Sequence, residues 1–271
     1  MMATGWIAFL TDYGRADGFV AACHGVIARI APAARVIDIT HDVPPQDVRH
    51  GAVVLADTVP YLPSSVVVGV VDPGVGTGRR AVVVVAGPHV LVGPDNGLLT
   101  WAADACGGVM RAAELTEPAY RLATGATTFD GRDVFAPAAA HLAAGVDVAA
   151  LGPDVPVESL VRLPSPRLVV GDGSIEAEVH AVDHFGTLSL SATVAALERA
   201  GLAGAPSLLV MAGSRSWTMP LGRSFAAAPP GSPVALVDSA GRLAVAVNAG
   251  RAAAVLGLDV GDRVTVRAPR L

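Results

Sequence analysis

Val66-Val67-Val68-Gly69-Val70-Val71-Asp72-Pro73-Gly74-Val75-Gly76-Thr77-Gly78-Arg79-Arg80-Ala81-Val82-Val83-Val84-Val85 joins two continuous β-branched runs through a glycine-rich turn. Strands buried on both faces are apolar without alternation, so both runs predict interior strands. Outward from them, residues 6–10, 36–39 and 91–92 read as further strands. Phe19, Ala22, Val26 and Ile30 recur at helical spacing, as do Val48, Ala52, Leu55 and Val59. Residues 96–103 and 134–144 also read as helices. Strands alternating with helices imply an α/β N-terminal domain, residues 1–163, with a mostly parallel sheet covered on both faces.

Leu163-Pro164-Ser165-Pro166 reads as a linker. Beyond it, Ser174–Val182, 207–211, 234–237, 243–247 and Arg263–Arg267 read as strands between Gly- and Pro-rich turns, and only residues 193–200 look helical. A smaller all-β, barrel-like C-terminal domain over residues 167–271 is expected. The 271 residues are 52% hydrophobic and 16% charged, with net charge -5. A nucleic-acid binder needs a basic face, so that class is disfavoured. No apolar run reaches the ~18 residues of a membrane span. Residues 1–12 lack the basic start of a signal peptide, so a cytoplasmic protein is expected. Cys23 and Cys106 form no CxxC pair and read as buried free thiols.

Carboxylates gather where strands should end. Asp12 follows the first strand and Asp72 follows residues 66–71, where ligands bind in open α/β sheets. Isolated aspartates also start turns and cap helices, so two on neighbouring strands shift the balance toward function only modestly. The glycine-rich turn lacks the Gly-Lys-Ser/Thr ending of a P-loop and leads into a strand, which disfavours phosphate. A tight loop over a ligand fits better, with Arg79 directed back at Asp72. On spacing alone, Asp130 in residues 128–133 is an ordinary helix cap. The histidines show no metal-ligand spacing. His41, His50 and His141 read as structural, and no metal is expected.

Several stretches together resemble the S-adenosylmethionine hydroxide adenosyltransferase family, relatives of fluorinases and chlorinases. They are residues 9–14, 38–43, 71–80, Gly93-Pro94-Asp95-Asn96-Gly97-Leu98-Leu99, Phe129-Asp130-Gly131-Arg132-Asp133, Asp183-His184-Phe185-Gly186 and residues 238–243. The resemblance implies a homotrimer with sites between one subunit's N-terminal domain and its neighbour's C-terminal domain. It implies Asp12 on the ribose hydroxyls, and Asp17, Asp183 and Ser239 at the methionine end. Phe129 lies in the matched stretch, Phe185 and Phe225 would offer apolar faces, and Asn248 and Ala249 would meet adenine. Asp72 and Arg79 match two members of an Asp–Arg–His water-positioning set. Asp130 stands where the family has His, and Thr187 stands where it usually has Asn.

The activity this implies is hydrolysis of S-adenosylmethionine to adenosine and methionine. The sulfonium leaves as a neutral thioether, so no general acid or cofactor is needed. Asp72 would take water's proton, Arg79 would fix that carboxylate, and Asp130 would be a second water ligand. Two close carboxylates repel unless Arg79 or Arg132 separates them. A halogenase is the first alternative, disfavoured because halogenases of this kind carry Tyr at the position of Asp72 and a carboxylate repels halide. A non-catalytic S-adenosylmethionine or adenosine sensor is the second.

Overall fold

The structure, a computed structural model, describes residues 5–125 and 127–269. The chain divides into two compact units, Met1–Leu163 and Pro164–Leu271.

The first unit carries strands β1 (Trp6–Thr11), β2 (Arg35–Thr40), β3 (Val66–Val70), β4 (Ala81–Ala86), β5 (His89–Pro94) and β6 (Arg111–Glu114), in spatial order β2-β1-β3-β5-β4-β6. Strands β2, β1, β3 and β5 run parallel, whereas β4 is antiparallel to both β5 and β6. The sheet is therefore mixed: it is mostly parallel, as expected, with β4 alone running against the other five strands. The cause is local. Only Gly87 and Pro88 separate β4 from β5, too few residues for the crossover that parallel neighbours require. Uniform burial, not strand direction, made the β4 run look like a parallel strand: five of its six residues are buried.

Side-chain alternation along β1 and β3 divides the interior in two. Ile7, Phe9, Val66, Val68 and Val70 pack with α1 (Phe19–Ile30) and α4 (Ala136–Ala143). Ala8, Leu10, Val67 and Val71 pack with α2 (Val48–Thr58) and α3 (Thr100–Ala105). Each fully buried Val or Leu contributes about 1.5–3 kcal/mol, so this two-sided burial fixes the register of the strands that carry the site.

Two helices begin differently from the sequence expectation. Helix α3 starts at Thr100 rather than 96, because Asn96 is engaged in a turn: its Nδ2 donates to Val71 O at 2.8 Å and its Oδ1 accepts from Leu98 N at 3.1 Å. Ahead of α4 the chain makes a wide π-type turn over Gly131–Phe135, a feature common at functional sites.

In the second unit, β7 (Leu168–Gly171), β8 (Ser174–Val182), β9 (Leu188–Thr193), β10 (Ser207–Ala212), β11 (Arg215–Pro220), β12 (Pro233–Val237), β13 (Arg242–Val247) and β14 (Arg263–Arg267) form one antiparallel sheet, ordered β11-β10-β14-β8-β9-β13-β12 with β7 on β8. Leu221 bridges to Ala235, and Gly222 N donates to Ala235 O at 2.8 Å. The two edges thus nearly meet and the sheet is close to a closed barrel, which limits exposed edge. Its core includes Ile175, Leu188, Leu190, Val210, Val245 and Val266. Besides α5 (Val194–Arg199) there is a second short helix, α6 (Ala252–Leu256), absent from the sequence reading.

Candidate active site

Strand β1 delivers Asp12, and the chain leaving β3 delivers Asp72, both at the carboxyl end of the parallel strands. The glycine-rich turn then doubles back. At Gly76 (φ 76°) a Cβ would lie 2.8 Å from Thr127 O, so the loop lies flat against the stretch that holds Asp130. Arg79 Nε donates to Asp72 Oδ1 at 3.1 Å and to Oδ2 at 3.0 Å, and its NH2 group bonds both Asp72 and Asp130. One guanidinium separates the two carboxylates. Its fork geometry suits this bridging role, which a lysine would not reproduce. Arg132 does not take part, because it pairs with Asp133 at 2.7 Å.

The Asp72 side chain is 5% exposed and that of Asp130 19%. The Arg79 guanidinium also stacks 5.4 Å from the Phe135 ring centre. Burial alone would lower the Arg79 pKa, but the hydrogen bonds and charges of Asp72 and Asp130 outweigh it and raise it. Asp130 makes no helix-capping bond, so the reading of it as an ordinary cap is corrected: its carboxylate goes to Arg79.

Asp12, Tyr13, Asp72, Val75, Thr128 and Asp130 line a cleft of about 70 Å³. That volume is ample for ordered water, which needs about 10–15 Å³ on the same measure. Asp12 Oδ2 accepts from Gln46 N at 2.8 Å. Tyr13, Val75 and Thr128 were missed as candidate site residues; each neighbours a residue or loop already singled out, which was the available signal. Burial raises the Tyr13 pKa, and Cys23, Asp12, Asp72 and Asp130 add to the shift. Its hydroxyl therefore stays protonated and can donate. Asp17 is exposed on the loop before α1 and does not line this cleft. Phe129 packs edge-on against Tyr13 (5.6 Å) and Phe19 (5.3 Å), with Arg132 4.8 Å above it.

Asp133 holds this segment in place. Its side chain, 5% exposed, accepts from Arg132 and from Thr124 Oγ1 at 2.8 Å. Burial acts to raise its pKa, but the Arg132 and Thr124 hydrogen bonds prevail and hold it below the usual carboxylate value. A depressed folded pKa stabilises above the unfolded value of about 4, and that stability is lost as pH falls through the folded pKa. Asp133→Asn is expected to cost about 1–3 kcal/mol near neutrality. Melting curves at neutral and acid pH check this: the gap between the two proteins should shrink in acid.

The remaining candidates lie in the second unit. Asp183 starts the turn between β8 and β9, where its Oδ1 accepts from Thr187 N at 2.7 Å. Phe185 at the tip is 74% exposed and Phe225 is 50% exposed. Ser239 is exposed in the β12–β13 turn, which is organised by Asp238 Oδ1 accepting from Ala240 N and Arg242 N at 2.9 Å. Asn248 Nδ2 donates to Ala228 O at 2.8 Å, and Ala249 has a left-handed backbone, φ 55°.

Residues 7–152 match the model of the SAM hydroxide adenosyltransferase N-terminal domain, and residues 177–265 match that of its C-terminal domain. The chain belongs to the SAM hydroxide adenosyltransferase family. Within this family it is 56% identical over 268 residues to the (R)-S-adenosyl-L-methionine hydrolase of Salinispora arenicola, covering 99% of this chain and 100% of that protein. A fluorinase of Actinoplanes sp. is more distant, at 30% identity over 288 residues and 96% of both chains. Among solved structures, an uncharacterized conserved protein from Thermotoga maritima superposes with a TM-score of 0.90 at 34% identity, covering 96% of this chain and 99% of that one. Among the described residues no helix is long and apolar enough to cross a membrane.

Proposed function

We propose that this chain hydrolyses S-adenosyl-L-methionine to adenosine and L-methionine, and that it acts on the R epimer at sulfur named in its relatives. The observation that carries the reading is the Asp72–Arg79–Asp130 bridge on a polar cleft with room for ordered water. The water oxygen bonds to C5′ as the C5′–S bond breaks. The bonding pair stays on sulfur, which leaves as neutral methionine thioether. Asp72 takes the water proton and Asp130 holds the same water from a second side. Arg79 fixes both carboxylates in place. Prepositioned water supplies much of the rate, and the base adds roughly 10²–10⁴-fold. No cofactor is required, because the leaving group carries no charge.

The three carboxylates that line the cleft, Asp12, Asp72 and Asp130, disfavour a halide nucleophile. The substrate's nucleoside and amino-acid ends need more surface than the cleft supplies. The exposed Phe185 and Phe225 faces support completion of each site by a neighbouring copy's C-terminal unit, in the homotrimer that the family resemblance implies, with Asp12 on the ribose and Asn248 and Ala249 near adenine. Asp17 would join the methionine end.

Incubation with each sulfur epimer, with and without chloride, followed by chromatography of the nucleosides, tests the reading. Adenosine from the R epimer, independent of chloride, is expected. A 5′-chloro nucleoside, or binding without turnover, would overturn it. Sedimentation velocity checks the trimer, and a monomer with full activity would contradict sites shared between copies.

A further inference from the structure

We propose that His24, Asp38 and His41 form a binding site for a divalent transition cation of the zinc type, separate from the hydrolytic cleft. Linear spacing does not reveal it, because His24 lies on α1 while Asp38 and His41 lie on and just after β2. Folding brings one donor atom from each within 4.8 Å of the others. His24 Nε2 is 2.9 Å from Asp38 Oδ1, and His41 Nε2 is 3.1 Å from the same oxygen.

His41 is only 2% exposed, and its Nε2 has no hydrogen-bond partner although the Asp38 carboxylate is so near. The nitrogen is close but misaligned, since a hydrogen bond weakens steeply off axis. Two ligand atoms each about 2.0–2.2 Å from one cation are separated by about 3 Å, with each lone pair aimed beside its neighbour. The contact between His41 and Asp38 has that form.

The surroundings allow the tautomer the site needs. His41 Nδ1 lies 2.9 Å from Thr11 Oγ1, which also accepts from Tyr13 N at 3.2 Å. A hydroxyl has two acceptor lone pairs, so Nδ1–H can donate to the second and leave Nε2 as a lone-pair donor towards Asp38. Such outer hydrogen bonds orient metal-binding imidazoles. Two imidazoles and one carboxylate suit zinc-type ions, and the side chains of His24 and Asp38, 34% and 39% exposed, leave an entry path and an open coordination position. A bound ion would tie α1 to β2. Through Gly14 N, which donates to His41 O at 2.8 Å, it would also steady the turn that carries Asp12 and Tyr13.

The test is calorimetric titration of chelator-treated full-length protein with zinc chloride near neutral pH. Cobalt(II) absorption serves as a spectroscopic signature. One saturable ion per chain is expected, weakened at least about tenfold by His24→Ala, with zinc raising the melting temperature of the parent protein only. Asp38→Asn gives a second route if His24→Ala fails to fold. No saturable binding, or binding unchanged in the variants, would overturn the site.

Discussion

Asp72→Asn is expected to lower turnover of S-adenosyl-L-methionine by about 10²–10⁴-fold, the usual contribution of a positioned general base. The amide keeps the shape of the carboxylate and can still accept from Arg79, so the fold should survive. The capacity to take a proton is removed, together with the negative charge that pairs with Arg79. Because the loss concerns the reacting water, kcat should fall with little change in KM. Asp130→Asn should be milder, since Asp72 retains the bonds from Arg79 Nε while Asp130 is held through NH2 alone. Steady-state kinetics of both variants check the ranking. Equal losses would mean that the two carboxylates share the proton, and full activity in Asp72→Asn would remove it from the mechanism.

A large loss of stability, reaching the site, is expected from Gly93→Ala. A Cβ at this position would sit 2.3 Å from the backbone oxygen of Gly69. A side chain could turn aside, but a strand carbonyl cannot move without shifting β3 against β5. Overpacking of this kind costs about 3 kcal/mol or more. The damage should also reach the site. Val71, which accepts from Asn96 Nδ2, directly precedes Asp72, so any separation of the strands moves the base. Thermal unfolding and activity of the surviving protein should decline together. An unchanged melting temperature would show that the strands can separate freely at this point.

Legibility differed between the two halves for a physical reason. Helix α1 and strands β8 and β14 were readable to their ends, because their apolar periods coincide with burial. Strand β6 is four residues long, and β11 has three of its six residues exposed, so neither carries a hydrophobic signal to read. Strand β9 alternates Leu-Ser-Leu-Ser with matching burial, and that pattern was available but unread. The direction of β4 could not come from its valines, since burial on both faces looks the same either way. The two-residue turn at Gly87-Pro88 was the informative feature.

The site shows the same division. Asp72 and the backward reach of Arg79 were legible, because a carboxylate at a strand end followed by a glycine loop and an arginine has few structural uses. The role of Asp130 as second partner of Arg79 was not visible in local spacing, which made it a helix cap. It depended on two segments 51 residues apart meeting. The His24–Asp38–His41 cluster escaped for the same reason. Tyr13 was quoted as part of a motif, but its burial beside three carboxylates emerges only from the fold.

Reaction in oxygen-18-labelled water, with mass spectrometry of the nucleoside product, tests the central claim most directly. The account predicts adenosine carrying one labelled oxygen at C5′, and methionine carrying none. Unlabelled adenosine, or a nucleoside with no new oxygen at C5′, would contradict direct attack by water held between Asp72 and Asp130.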